Sequence, residues 1–257
     1  MRKVSGSKRR LIVVSTRVFT VGLFLFLWEV GARRGWVDPF FISTPLEILK
    51  KMYQWISTGF IFPHMAITLI ETLAGFLLGI AVGMLLGFSL AFWRKMDRLL
   101  LPFLVAFNAM PRVVFYPLFV LWFGMGLYSK IFFSFTLVFF IIFFNTYSGL
   151  KQVDKDLLNN AKVLGGSGFD LIRHVYLPSV MGWVFSSLRV SVGFALIGAI
   201  VGEYLGAKYG IGQVIAFSES MFSANEVLAG LFVLMSLIAL IYAALRRVEA
   251  RFGAWRL

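Results

Sequence analysis

Six apolar runs, each about twenty residues or longer, constrain this chain more than any other feature. They fall at 11–30, 65–92, 99–123, 130–150, 179–202 and 226–245. A helix of about twenty apolar residues crosses the hydrocarbon core of a bilayer. The sequence therefore predicts an all-α membrane protein with six transmembrane helices. Composition agrees: 60% of residues are hydrophobic and 14% charged, against about 25% charged in a soluble domain. The net charge of +13 would suit a nucleic-acid partner. Its distribution excludes that reading, because the basic residues sit at the ends of apolar runs. The absence of cysteine excludes disulfides and thiolate chemistry and fixes no compartment. The basic start, Met1 to Arg10, leads into a long run without a small-residue cleavage site, so it reads as an uncleaved first helix.

Charge also orients the chain. With the N-terminus inside, the inner face collects Arg2, Lys3, Lys8, Arg9, Arg10, Arg17, Arg94, Lys95 and Arg98, then Lys151, Lys155, Lys162, Arg173, Arg246, Arg247, Arg251 and Arg256. The outer face keeps Arg33, Arg34, Lys50, Lys51, Lys130 and Lys208. The positive-inside bias then places both termini in the cytoplasm, together with the loop 157–178. The expected organisation is a basic tail at 1–10, a first helix and outer interfacial helix over 11–64, a core of helices over 65–245, and a basic tail at 246–257.

The loop is the longest internal stretch that lipid cannot accept. Asp154 and Asp156 suit a helix N-terminus. Leu157, Ala161 and Leu164 form an apolar stripe, beside a polar stripe of Lys155, Asn159 and Lys162. Gly165-Gly166 ends that helix. Ser167 and Asp170 suggest a capping box for a second short helix, closed by Pro178. A two-faced helix projecting from a membrane is suited to docking into a groove on another protein.

The loop also carries a recognisable spacing: Asn159-Asn160-Ala161, then Gly165, then Val175, then Leu177-Pro178. This resembles the signature of binding-protein-dependent ATP-binding-cassette importer permeases: Glu-Ala-Ala, three residues, Gly, nine residues, Ile, any, Leu-Pro. Asn159, Asn160 and Val175 replace the family's Glu, first Ala and Ile. The resemblance covers about residues 65 to 245. Pro111 to Gly124 (P-R-V-V-F-Y-P-L-F-V-L-W-F-G) and Asn145-Thr146 resemble the nitrate, sulfonate and taurine branch.

The resemblance implies a homodimeric permease in a bacterial cytoplasmic (inner) membrane. Two ATPase subunits would bind the loop through Asn159, Asn160, Ala161, Lys162, Leu164, Gly165 and Ser167, with Leu177 and Pro178 completing the signature. An extracytoplasmic solute-binding protein would deliver the solute. ATP and magnesium would be held by the ATPase, with no cofactor in this chain. The implied cargo is a small anion such as a sulfonate, taurine or nitrate. A pyrimidine vitamin precursor, riboflavin or an aromatic carboxylate stays open within the same branch.

The membrane segments carry their own candidates. Gly75, Gly79, Gly83 and Gly87 recur every fourth residue and predict close helix packing, within one subunit or across a dimer. Pro102, Pro111 and Pro117 interrupt the third segment. Arg112 lies near its middle, where a charge costs about 2.5–3.5 kcal/mol on insertion scales. With Asn108 and Tyr116 it makes a stripe at i, i+4, i+8. It reads either as a buried Arg pinned to carbonyls or as a pathway group facing an anion. Arg189, half-way across the fifth segment, has the same two readings, with Glu203 and Glu71 as candidate ion partners. Glu71 reads as facing headgroups or water, or as pairing with an internal cation. The phenylalanine-rich fourth segment reads as lipid-facing. Thr44-Pro45-Leu46-Glu47 opens an amphipathic helix on the outer leaflet, or one that receives the binding protein. The segment from Glu203 to Asn225 reads as a gate or contact loop with a short helix.

The chain has no G-x-x-x-x-G-K-[ST], so phosphate-cradling must come from another polypeptide. His64 and His174 are its only histidines and read as surface residues, so no metal site is expected. Two rivals remain: a secondary transporter or channel using Arg112, Arg189 and Glu71, and a membrane-embedded enzyme.

Overall fold

The computed structural model describes residues 6–36 and 38–252, with the backbone alone for 6–12, 39 and 248–252. The side chains of the basic tail 1–10, Arg251 and all of Arg256 lie outside the described residues. Every long element is a helix. The order is α1 Gly6–Arg33, α2 Pro39–Ile42, α3 Pro45–Ser57, α4 Ile61–Phe92, α5 Arg94–Ala109, α6 Tyr116–Phe123, α7 Leu127–Lys151, α8 Lys155–Val163, α9 Phe169–Leu171, α10 Leu177–Leu205, α11 Ile211–Ser220 and α12 Ala224–Phe252. Among the described residues, five helical runs are long and apolar enough to span a membrane. The third segment makes six only as a pair, Arg94–Ala109 and Arg112–Phe123, bent by 99°.

That bend corrects the expected stripe along one helix. Met110 and Pro111 are extended, at ψ 141° and 111°, and Arg112–Phe115 forms a 3₁₀ turn. A residue preceding proline is pushed out of the α region, so Met110 before Pro111 stops α5. The i, i+4, i+8 arithmetic therefore fails beyond Ala109.

Residues Phe62–Gln213 and Leu234–Leu257 form one compact unit. Its centre is α7, where Phe133, Val138, Ile142 and Phe143 are at most 1% exposed. The fourth segment is thus the core helix, which corrects its assignment to lipid. A helix apolar all round can be buried in either solvent, so composition could not choose. Packing on α7 comes from both sides. The four α4 glycines face it: a Cβ at Gly79 would lie 2.5 Å from Val138 Cγ1, and one at Gly83 2.9 Å from the Phe139 carbonyl. On α10, a Cβ at Gly198 would lie 2.5 Å from Ser134 Cα. Small residues let backbones approach where lipid supplies no hydrophobic drive. Phe76, Val138, Ile142, Val192 and Ala195 then seal the three-helix contact. Leu100, Leu101 and Leu104 of α5 pack with Leu90, Phe139 and Phe143.

Residues Met1–Ile61 and Val214–Val233 form the other unit. Thr44 caps α3 by accepting from the Glu47 N–H at 3.3 Å, with Pro45 in the first turn. The α3 helix buries Ile48 and Trp55 and exposes Leu49, Tyr53 and Ile56. Lys51 pairs with Glu226 at 2.6 Å, and the Leu46 N–H donates to Glu29 at 3.0 Å.

Candidate functional site: a projecting loop helix and a buried polar knot

The loop is built from local signals. The Asp154 carboxylate accepts from the Asp156 N–H at 2.8 Å and starts α8. Its end is a Schellman arrangement: the Gly166 N–H donates to Ala161 O at 2.9 Å and the Gly165 N–H to Lys162 O at 2.9 Å. Gly165 sits at φ +88°, the left-handed region that glycine adopts without a Cβ penalty. Asn159, Asn160, Lys162, Leu164, Gly165, Ser167, Leu177 and Pro178 are exposed, and Ala161 is half-buried. Exposed apolar side chains extend beyond the expected stripe. Val163 is 86% exposed, Leu164 87% and Phe169 71%, and Leu157 is exposed as well. Val163 and Phe169 were missed because neither keeps helical spacing with Leu157; their exposure itself is the signal.

Beyond Gly166 the expectation of a short closed helix is corrected. Gly168, not Ser167, stands at the helix start, and no side chain caps it. Helix α9 then runs through a π turn, Ile172–Tyr176, directly into α10. Pro178 lies in the first turn of α10, where its missing N–H costs nothing. The loop is thus continuous with a membrane-spanning helix.

The pathway candidates separate. Arg112 donates from Nη2 to Asn108 Oδ1 and stacks 5.1 Å over the Phe140 ring. Its Nε is buried without a partner. Tyr116 does not join them: it is buried and donates to the Gly202 carbonyl at 2.7 Å. Arg189 is exposed, and its carbonyl accepts from the Tyr242 hydroxyl at 3.2 Å. Glu203 is fourteen residues further along the same continuous helix, about 21 Å at 1.5 Å per residue. Glu203 is therefore not its ion partner, and neither is Glu71, which hydrogen-bonds to Glu203.

Glu71 and Glu203 are each 1% exposed, which corrects the placement of Glu71 among headgroups or water. Glu203 Oε1 accepts from the Thr68 hydroxyl at 2.6 Å and Oε2 from the Gly212 N–H at 2.7 Å. The Ile211 N–H donates to Thr68 Oγ1 at 2.9 Å. His64 is also buried, its Nδ1 3.1 Å from the Gly210 backbone, so the surface reading of His64 is corrected. The cation that acts on both carboxyl groups is Lys130. It donates to Met125 O at 2.8 Å and Gly126 O at 2.9 Å. This knot joins the starts of α4 and α7, the end of α10 and the segment 210–212. No sequence spacing announces it, because its hydrogen-bonded partners lie up to 146 residues apart. Among the described residues no three or more His, Asp or Glu side chains gather as a metal site.

Comparison with known proteins agrees with this architecture. Residues 75–254 match the model of the family described as binding-protein-dependent transport system inner membrane component. The chain is 33% identical over 235 residues to the formylaminopyrimidine transport permease protein ThiX of Halalkalibacterium halodurans, covering 91% of this chain and 93% of that one. It is 30% identical to the putative aliphatic sulfonates transport permease protein SsuC of Bacillus subtilis, covering 91% and 85%. It is 28% identical to the riboflavin transport system permease protein RibX of Chloroflexus aurantiacus, covering 92% and 88%. Among solved structures, an inward-facing MetNI methionine ABC transporter chain superposes with a TM-score of 0.60 at 20% identity, covering 77% of this chain and 97% of that chain.

Proposed function

From the premise that this chain belongs to the family of binding-protein-dependent transport system inner membrane components, we propose that it works as a homodimer driven through α8 by two separate ATPase subunits. The chain is an ABC importer permease subunit, an integral membrane protein of transmembrane helices. ATP and magnesium would sit on the ATPases, and a solute-binding protein would deliver cargo on the opposite face. In this reading the permease unit proper is 65–245, the basic stretches 1–10 and 246–257 lie in the cytoplasm of a bacterial cell, and the region 11–64 crosses once and returns along the outer leaflet.

One observation carries the drive through α8. The short charged helix α8 and its cap leave Leu157, Val163 and Leu164 exposed, and Phe169 is exposed shortly after them. Large apolar side chains left exposed on one short element suit an interaction site, and an amphipathic helix fits a groove on a partner. ATP-driven closure of the ATPases would move this helix and swing the pathway between inward-open and outward-open, a rigid-body alternation. The test is co-purification with the cognate ATPase. Leu164→Asp should lose most of the bound ATPase while the chain still inserts. Full retention of the ATPase would refute docking at α8.

For cargo, a small anion such as a sulfonate, taurine or nitrate is favoured by Arg112. It lies at a helix break, with its Nε turned inward and unpartnered. Discontinuous helices in transporters form substrate sites near the membrane midplane. The relatives' names also keep a pyrimidine vitamin precursor and riboflavin in view, with an aromatic carboxylate as a further candidate. Uptake of radiolabelled taurine, nitrate and riboflavin by the reconstituted complex decides among these. Uptake without any ATPase would instead favour a secondary transporter or channel.

A further inference from the structure

The two halves of the bent span are anchored at opposite ends of the bundle. Helix α6 is tied to the elements that carry the knot: Tyr116 at its start donates to Gly202 O at 2.7 Å, and Lys130 holds the Met125 and Gly126 carbonyls just past its end. Helix α5 is tied elsewhere. Asp97 in its first turn accepts from the Tyr147 hydroxyl at 2.8 Å and pairs with Lys151 at 3.0 Å. Lys151 also stacks 5.3 Å over the Tyr147 ring. Its backbone is the last of α7, four residues before α8 begins at Lys155. The other contacts of α5 with α7 are apolar, Leu100, Leu101 and Leu104 near Phe139 and Phe143. Packed apolar surfaces tolerate small sliding, whereas two donors converging on one carboxylate hold a fixed geometry.

We propose that Asp97, Tyr147 and Lys151 are positioning residues that tether α5 to the base of the loop, and that displacement of α8 is absorbed at the 110–115 break. The inference rests on the docking of an ATPase at α8 and adds the route by which its motion reaches the pathway. Displacement at residues 152–154 pulls on Lys151, and Asp97 carries α5 with it. Helix α6 stays fixed to the elements that carry the knot. The change in backbone direction must then fall between Ala109 and Tyr116, where the extended Met110-Pro111 pair and the 3₁₀ turn replace regular helix. Arg112 sits in that interval, so its guanidinium moves relative to Phe140.

The chain lacks cysteine, so a single cysteine placed at Val114, which is 65% exposed, reports on the break. The measurement is the rate of maleimide labelling in the full complex with its ATPase, with and without ATP and vanadate. In the Val114→Cys parent the two rates should differ by at least about threefold. Asp97→Ala or Lys151→Met should collapse the ratio towards unity while ATPase remains bound. The exchange Asp97→Lys with Lys151→Asp should restore it, an effect that mere loss of folding does not produce. An undiminished ratio in both single variants overturns the tether, as does a parent ratio of one with ATPase bound. Failure of the ATPase to co-purify with the parent would instead overturn the docking reading.

Discussion

At the scale of single residues, the α4 glycines are governed by distance rather than by backbone freedom. A Cβ at Gly79 meets Val138 Cγ1 at 2.5 Å and Val138 Cβ at 2.6 Å, both on the buried core helix α7. Gly79→Val should therefore destabilise by at least the ~1–3 kcal/mol typical of overpacking. Gly182, with nothing within 4 Å of a built Cβ, is the control: Gly182→Ala should be neutral or stabilising by ~0.5–1 kcal/mol. Thermal unfolding midpoints in detergent compare the two, and equal midpoints would remove the packing account. The four-residue spacing of these glycines was visible in the sequence; that they meet α7 of the same subunit was not. The carboxyl pair shows the opposite case. Glu71 and Glu203 are 132 residues apart (203 − 71), and only the fold puts them in contact.

Among the elements, α8 is the one whose local signals sufficed. Asp154 caps it, Gly165 ends it, and both roles follow from side-chain and backbone chemistry within a dozen residues. Gly165→Val forces a β-branched residue into φ +88°, costing about 1–2 kcal/mol, and should displace Leu164 and the turn behind it. In proteoliposomes, solute moved per ATP hydrolysed should fall while membrane insertion is unchanged. An unaltered ratio would count against a mechanical role for this helix. The neighbouring element resisted local reasoning. Pro178 reads as a terminator, yet it occupies the first turn of α10, because a proline ring fits a helix start as well as a helix end. The third segment likewise reads as one span, and the extended Met110-Pro111 pair divides it.

For the whole molecule, orientation is the decisive property, since docking at α8 requires the loop to face ATP. With no native cysteine, Lys162→Cys in intact cells should resist a membrane-impermeant maleimide and react only after permeabilisation. Labelling from outside would end the importer mechanism proposed here. The sequence by itself determined the apolar runs, the helical class and the projecting loop, because lipid selects about twenty apolar residues per crossing and caps act over one turn. Tertiary structure alone decided which apolar helix is the core, where the third span breaks in space, and which buried polar groups meet. Lipid and protein interior are equally apolar to a single helix, and pairing across 146 residues leaves no local trace.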